Sequence, residues 1–127
     1  MLRLTGGRVL NRFRGGKILL LTSTGRRTGN LRTWPLLYLD DGDGFVVVGS
    51  NGGHDHDPAW CLNLRAEPAA SVDVEGKKVA VRARFARGAE RAEWWDRFIA
   101  AYVGYADYQG ATDREIPVVM LEPGAST

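Results

Sequence analysis

The chain of 127 residues has one cysteine, two histidines and no acidic side chain among its first 39 residues, and each shortage excludes something. Cys61 has no internal partner, so no disulfide staples the fold and stability must come from a buried core. The length suffices for that, and 44% apolar with 25% charged residues is an ordinary globular composition. A lone cysteine and no signal-peptide pattern make a reducing, cytoplasmic compartment the expectation. The longest uncharged run, Gly44 to His54, is too short to span a bilayer. At most, weak peripheral attachment through the N-terminal arginines is expected. His54 and His56 alternate with Asp55 and Asp57 in one glycine-led loop, but a zinc site needs spaced third and fourth ligands, so no metal is expected. Cys61, beside Leu62 on a short helix, reads as a structural thiol rather than a nucleophile.

What the chain does have is cation in one place. The first 39 residues hold eight Lys or Arg, while the remaining 88 hold nine basic against fifteen acidic side chains, so a net charge of +2 conceals a strongly basic first third. Within it, Thr22-Ser23-Thr24-Gly25-Arg26-Arg27-Thr28-Gly29-Asn30-Leu31-Arg32 carries three guanidiniums and no acid. The glycines free the backbone to turn and approach a ligand, the hydroxyls add hydrogen bonds, and arginine presents a planar fork matched to phosphate or carboxylate. The stretch reads as an anion site.

Taken in order, residues 1–16 form a basic arm without a clean period, and Lys17 to Ser23 is a continuous apolar run expected to be a buried strand. After the basic turn, Arg32 to Leu39 reads as a second strand in which Pro35, lacking an N–H, implies an edge, a bulge or a ligand-facing break. Asp41-Gly42-Asp43-Gly44 is a hairpin signal returning Phe45 to Gly49. Asp57 is expected to cap a short helix over Pro58 to Arg65, which Glu67-Pro68 ends. Ser71 to Glu75 and Lys78 to Phe85 form a hairpin, the second strand alternating Val79, Val81, Ala83 and Phe85 with polar neighbours. Ala92, Trp95, Ile99 and Tyr102 mark the buried stripe of a helix over Ala89 to Val103. Tyr105 to Gly110 reads as an aromatic loop, Ile116 to Leu121 as the last strand, and 124–127 as a polar tail. Six strands joined mostly by hairpins, with two or three helices, predict a mainly β (α+β) single domain over 1–127, an antiparallel barrel rather than a parallel sheet.

Several separated blocks, Leu20 to Gly29, Arg32 with Pro35-Leu36, Gly52-Gly53, Asp57 to Leu64, Tyr105 to Gln109 and Arg114 to Val119, resemble the deazaflavin-dependent nitroreductase family. The likeness runs from about Leu4 to Pro123. It implies a split β-barrel, similar to flavin mononucleotide-binding split barrels, that uses reduced coenzyme F420, a deazaflavin with a phosphate and an oligoglutamate tail. It further implies an oxidoreductase delivering hydride to a quinone or nitroaromatic acceptor, as a monomer or homodimer.

By the same resemblance, Thr24, Arg26, Arg27, Thr28, Gly29 and Arg32 hold the phosphate and acidic tail. Pro35, Ser50, Asn51, Pro58, Ala59, Trp60 and Asn63 lie against the deazaflavin ring, although core packing also explains Trp60. Tyr105 and Tyr108, with Ser50, carry the catalytic assignment. Leu37, Tyr102, Tyr105 and Tyr108 line the acceptor pocket, with Tyr102 equally readable as the core end of its helix. Four positions depart from the family pattern: Leu37 and Cys61 replace tyrosines, Asn51 replaces a lysine, and Arg27 keeps the charge of a lysine. Three alternatives stay open at this level. These are a flavin mononucleotide-dependent split barrel, a non-catalytic deazaflavin carrier, and a single-strand nucleic-acid barrel using Trp34 and Tyr38. Asp107 and Asp113 beside the tyrosines speak against nucleic acid, because they would repel a phosphate backbone.

Overall fold

Alternation of apolar and polar residues, broken by glycine-containing turns, sets most of the architecture. The computed structural model describes residues 17–50, 56–102, 104–110 and 112–124. The chain runs β1 (Ile18–Thr24), β2 (Leu31–Leu37), β3 (Leu39–Asp41), β4 (Gly44–Val48), α1 (Ala59–Ala66), β5 (Ala69–Val74), β6 (Lys77–Phe85), α2 (Gly88–Ala101), α3 (Tyr105–Gly110) and β7 (Val118–Pro123). The strands form one antiparallel sheet in the order β2-β1-β5-β6-β7-β4-β3.

The two edge strands, β2 and β3, are separated in sequence only by Tyr38, so the sheet must curl until its edges approach. The result is a half-barrel. Tyr38 donates its N–H to the Lys17 carbonyl at 3.1 Å, tying the bend to the start of β1. This bend also makes seven strands where six were expected, by splitting Arg32 to Leu39 in two. Pro35 is tolerated because β2 is an edge strand.

Strands β4 and β7 explain their own unbroken apolar runs. Phe45, Val47, Val119 and Leu121 join a cluster with Leu19, Leu21, Trp60, Cys61 and Leu64, whereas Val46, Val48, Val118 and Met120 join Phe98, Tyr102 and Ile116 on the other face. Both faces are therefore covered, which removes the need for polar alternation. Strand β6, wet on one side, keeps the alternation the sequence shows.

Several local expectations are corrected. Asp57 does not cap α1: Pro58 is the N-cap residue, no side chain bonds the free amides, and the Asp57 carboxylate is taken by Arg114 instead. Helix α2 buries Phe98, with Trp94 and Trp95 half-buried beside it, and leaves Ala92 exposed. Its stripe is therefore rotated from the expected one. Tyr105 to Gly110 is a helix rather than a loop, opened by Gly104 at φ +100 and by the Asp107 N–H to Gly104 carbonyl bond at 3.2 Å. The last strand starts at Val118 because the carbonyls of Ile116 and Pro117 bond Arg91 and Gly49 outside the ladder. The arm at 1–16, Asn51 and the His54-Asp55 pair lie outside the described residues. Among those described, no helix is long and apolar enough to cross a membrane.

Candidate functional site

The basic stretch is the tip of the β1–β2 hairpin, and its backbone closes on itself. Gly25 donates to the Asn30 carbonyl at 2.7 Å and Gly29 donates to the Gly25 carbonyl at 2.8 Å. Gly29 holds φ +77, the left-handed region that glycine occupies without strain. The Thr28 hydroxyl accepts from the Asn30 N–H at 3.1 Å, and the Thr22 and Thr33 hydroxyls bond across the strands at 2.8 Å. A Cβ on Gly25 would press the Asn30 carbonyl at 3.1 Å, so the tightness of the turn itself favours glycine there.

Rigid backbone here carries unsatisfied charge. Among the described residues, Arg26, Arg27 and Arg32 form no ion pair, and all three side chains are exposed. Only Arg26 has an anchor: the Asn63 Oδ1 accepts from both its backbone N–H and its Nη1, each at 3.1 Å. Asn63 lies on α1 and is itself buried, so the helix holds the tip in place. The three arginines, Thr28, Ala59 and Asn63 line a groove of about 300 Å³ together with Gly25 and Trp34. Trp34 faces Leu21 across the ladder and Arg32 faces Ser23, which places these four on one face of the hairpin. At this same end, the Trp34 Nε1 and the Ser23 Oγ are buried with no hydrogen-bond partner among the described residues.

The other expected cofactor contacts fall elsewhere. Thr24 and Pro35 occupy the opposite face of the hairpin from Trp34 by strand alternation, and Gly29 closes the turn rather than lining the groove. Trp60 is core. Cys61, which stands where the family pattern has a tyrosine, is fully buried with its Sγ against the place a Gly49 Cβ would occupy. A phenol would not fit there. Burial pushes its thiol well above the ordinary range, as a structural cysteine requires.

Ser50, two residues past the end of β4, lies at a second polar centre that the sequence did not reveal. Arg114 donates from Nη1 to Asp57 Oδ1 at 2.7 Å and from Nη2 to the Gly49 and Ser50 carbonyls at 3.1 and 2.8 Å. One planar side chain thus fixes the Ser50 backbone against the entry to α1. Nothing in periodicity marks Arg114, since it lies outside any regular element and its partners come from far along the chain.

The tyrosines assemble, but not all as expected. Leu37, Tyr105 and Tyr108 pack against the same apolar cluster, with the Tyr105 ring 5.1 Å from both Phe98 and Tyr108. Tyr105 and Tyr108 stand one helical turn apart on α3, an i, i+3 spacing that their sequence positions already contained. Among the described residues the Tyr108 hydroxyl has no hydrogen-bond partner. Tyr102 differs: it is only 7% exposed, donates its hydroxyl to the Tyr38 carbonyl at 2.5 Å and accepts from the Lys17 N–H at 3.3 Å. That hydroxyl is committed to closing the half-barrel.

Comparison with known proteins supplies the remaining observation. Residues 1–123 match the family model described as F420H(2)-dependent quinone reductase. The chain is similar to an F420H(2)-dependent quinone reductase of Mycobacterium tuberculosis, 37% identical over 121 residues that cover 92% of this chain and 81% of that protein. Among solved structures, it resembles an F420-H2 dependent reductase at 39% identity and TM-score 0.76, covering 83% of this chain and 93% of that one. A second, described as a domain-swapped dimer, is 39% identical with TM-score 0.77 over 83% of this chain and 79% of its own.

Proposed function

The chain belongs to the F420H(2)-dependent quinone reductase family, and from that premise we propose an oxidoreductase that passes hydride from reduced coenzyme F420 to a quinone, with the β1–β2 tip holding the anionic end of the cofactor. The observation that carries the placement is the set of three arginines around one groove that have no carboxylate partner among the described residues. The residues present fit the group. A phosphate and several carboxylates demand clustered cations, and the tip gathers three guanidiniums and the Thr28 side chain around one groove.

Bound there, the deazaflavin supplies a hydride, so the protein needs neither metal nor nucleophile of its own. Arg27 and Arg32 bind the phosphate and tail directly, while Arg26, anchored by Asn63, keeps the tip from swinging away when the charge is neutralised. By the family resemblance Ser50 and Ala59 would border the ring, and Arg114 holds the Ser50 carbonyl in place. Leu37, Tyr105 and Tyr108 form the acceptor side. A quinone that takes up a hydride also needs a proton, and the Tyr108 phenol, without a hydrogen-bond partner among the described residues, would hydrogen-bond the acceptor and deliver it.

Loss of a phenol at Leu37 leaves that wall apolar. Naphthoquinones are therefore the favoured acceptors, with bulky bicyclic nitroaromatics reduced slowly or not at all. Flavin mononucleotide would use the same phosphate cradle yet leave two arginines without an acidic tail to meet. The test is the absorbance of reduced coenzyme F420 on adding menadione. Catalytic loss supports the reductase, whereas tight binding without oxidation across many acceptors assigns the chain to cofactor carriage.

A further inference from the structure

Gln109, on the helix that carries both acceptor-side tyrosines, is the centre of a hydrogen-bond relay that reaches the cofactor side. Its Oε1 accepts from the Ile116 N–H at 3.0 Å and from Arg91 Nη2 at 3.4 Å, and its Nε2 donates to the Arg114 carbonyl at 2.7 Å. Arg91 is itself held by the Ile116 carbonyl at 2.6 Å. The Arg114 side chain then continues to the Ser50 carbonyl and to Asp57 at the entry of α1. Helix α1 carries Asn63, which grips Arg26 at the basic tip.

We propose that Gln109 and Arg114 are positioning residues that couple occupancy of the cofactor groove to the setting of the tyrosine helix. This rests on the cofactor placement argued above and adds the route by which two separated parts of one site act together. The physical basis is that each link is a directed hydrogen bond between separate elements. Helix α3 is only six residues long and lays its tyrosines on the Phe98 cluster, where apolar contact sets no unique angle, so the bonds at Gln109 fix its setting on that cluster. A ligand that rigidifies the tip and α1 rigidifies Asp57 and Ser50, and through Arg114 the helix beyond.

The test is hydrogen exchange of the whole protein with and without saturating oxidised coenzyme F420, in wild type and in Gln109→Glu. The glutamate keeps accepting from Ile116 and Arg91 but cannot donate to the Arg114 carbonyl, so it cuts one link and spares the local fold. In wild type the cofactor is expected to slow exchange across residues 105–110 at least threefold. In Gln109→Glu that protection disappears, protection of residues 24–32 persists, cofactor Kd stays within about threefold, and kcat falls about tenfold. Arg114→Lys, which keeps the charge and loses the fork, reproduces the uncoupling. Protection of residues 105–110 retained in both variants, or missing in wild type that binds cofactor, overturns the relay alone. Failure of wild type to bind coenzyme F420 overturns the cofactor placement and the relay with it.

Discussion

Two arginine centres in this molecule use the same chemistry to opposite ends. At Arg114, one guanidinium is largely buried and meets a carboxylate and two carbonyls, so its donors are spent on holding the chain together. At the β1–β2 tip, three guanidiniums stand on a rigid hairpin with one amide between them and, among the described residues, no carboxylate. What distinguishes a structural arginine from a binding one is thus not the residue or its local sequence but whether the fold supplies its acceptors. Where it does not, the missing acceptor is the ligand.

The sharpest way to break this comparison is to remove one arginine from each centre. Arg114→Ala takes the 2.7 Å partner from the Asp57 carboxylate, leaving it only the looser Arg65 contact at 3.7 Å, and strips a donor from two carbonyls, so it should lower stability by about 1–3 kcal/mol in urea unfolding. Arg27→Ala should change stability by less than about 0.5 kcal/mol. Equal losses would erase the distinction. The reciprocal effect appears in binding, where Arg27→Ala should weaken coenzyme F420 by about 1.5–3 kcal/mol, a gap that added salt narrows.

A glycine pair sharpens the contrast further. Gly49→Ala drives a methyl into Cys61 at the Arg114 centre and should cost about 1–3 kcal/mol, recovered in large part by Cys61→Ala. At the tip, Gly29→Ala meets no atom and strains only φ, at about 1–2 kcal/mol, and no second substitution should restore it. Thermal unfolding of the four variants checks both.

The smallest effect concerns pH. Burial, reinforced by the Asp40 charge, pushes the Tyr38 phenol up to about 12, so the folded state holds that proton more tightly than the unfolded chain. Stability from this source is complete below the ordinary tyrosine range and is lost as pH rises through about 12. Tyr38→Phe should flatten the alkaline unfolding profile and leave binding alone.

Much of this was legible before the fold. The hairpin carrying Arg26, Arg27 and Arg32 followed from a basic, glycine-punctuated turn between apolar runs, and the edge position of β2 is one of the three readings that Pro35 left open. The i, i+3 spacing of Tyr105 and Tyr108 held a helical signal that glycine and aromatic content masked as a loop. Asp57 looked like a cap because caps are local, whereas its true partner, Arg114, is 57 positions away and could only be found in three dimensions. Trp34 was hidden for the same reason: strand alternation gives a face, but the groove on that face is made by a helix from elsewhere in the chain. Cys61 misled in the other direction, since its neighbour Gly49 fixes its size and takes it out of any pocket.

The most direct test of the central claim is a fluorescence titration of the protein with coenzyme F420 and with flavin mononucleotide across a salt series. Unpaired arginines awaiting a polyanion predict tighter binding of coenzyme F420, a steeper loss of its affinity with salt, and a shallower slope in Arg27→Ala. Equal affinity and equal salt dependence for the two cofactors, unchanged by Arg27→Ala, would contradict the assignment of the β1–β2 tip.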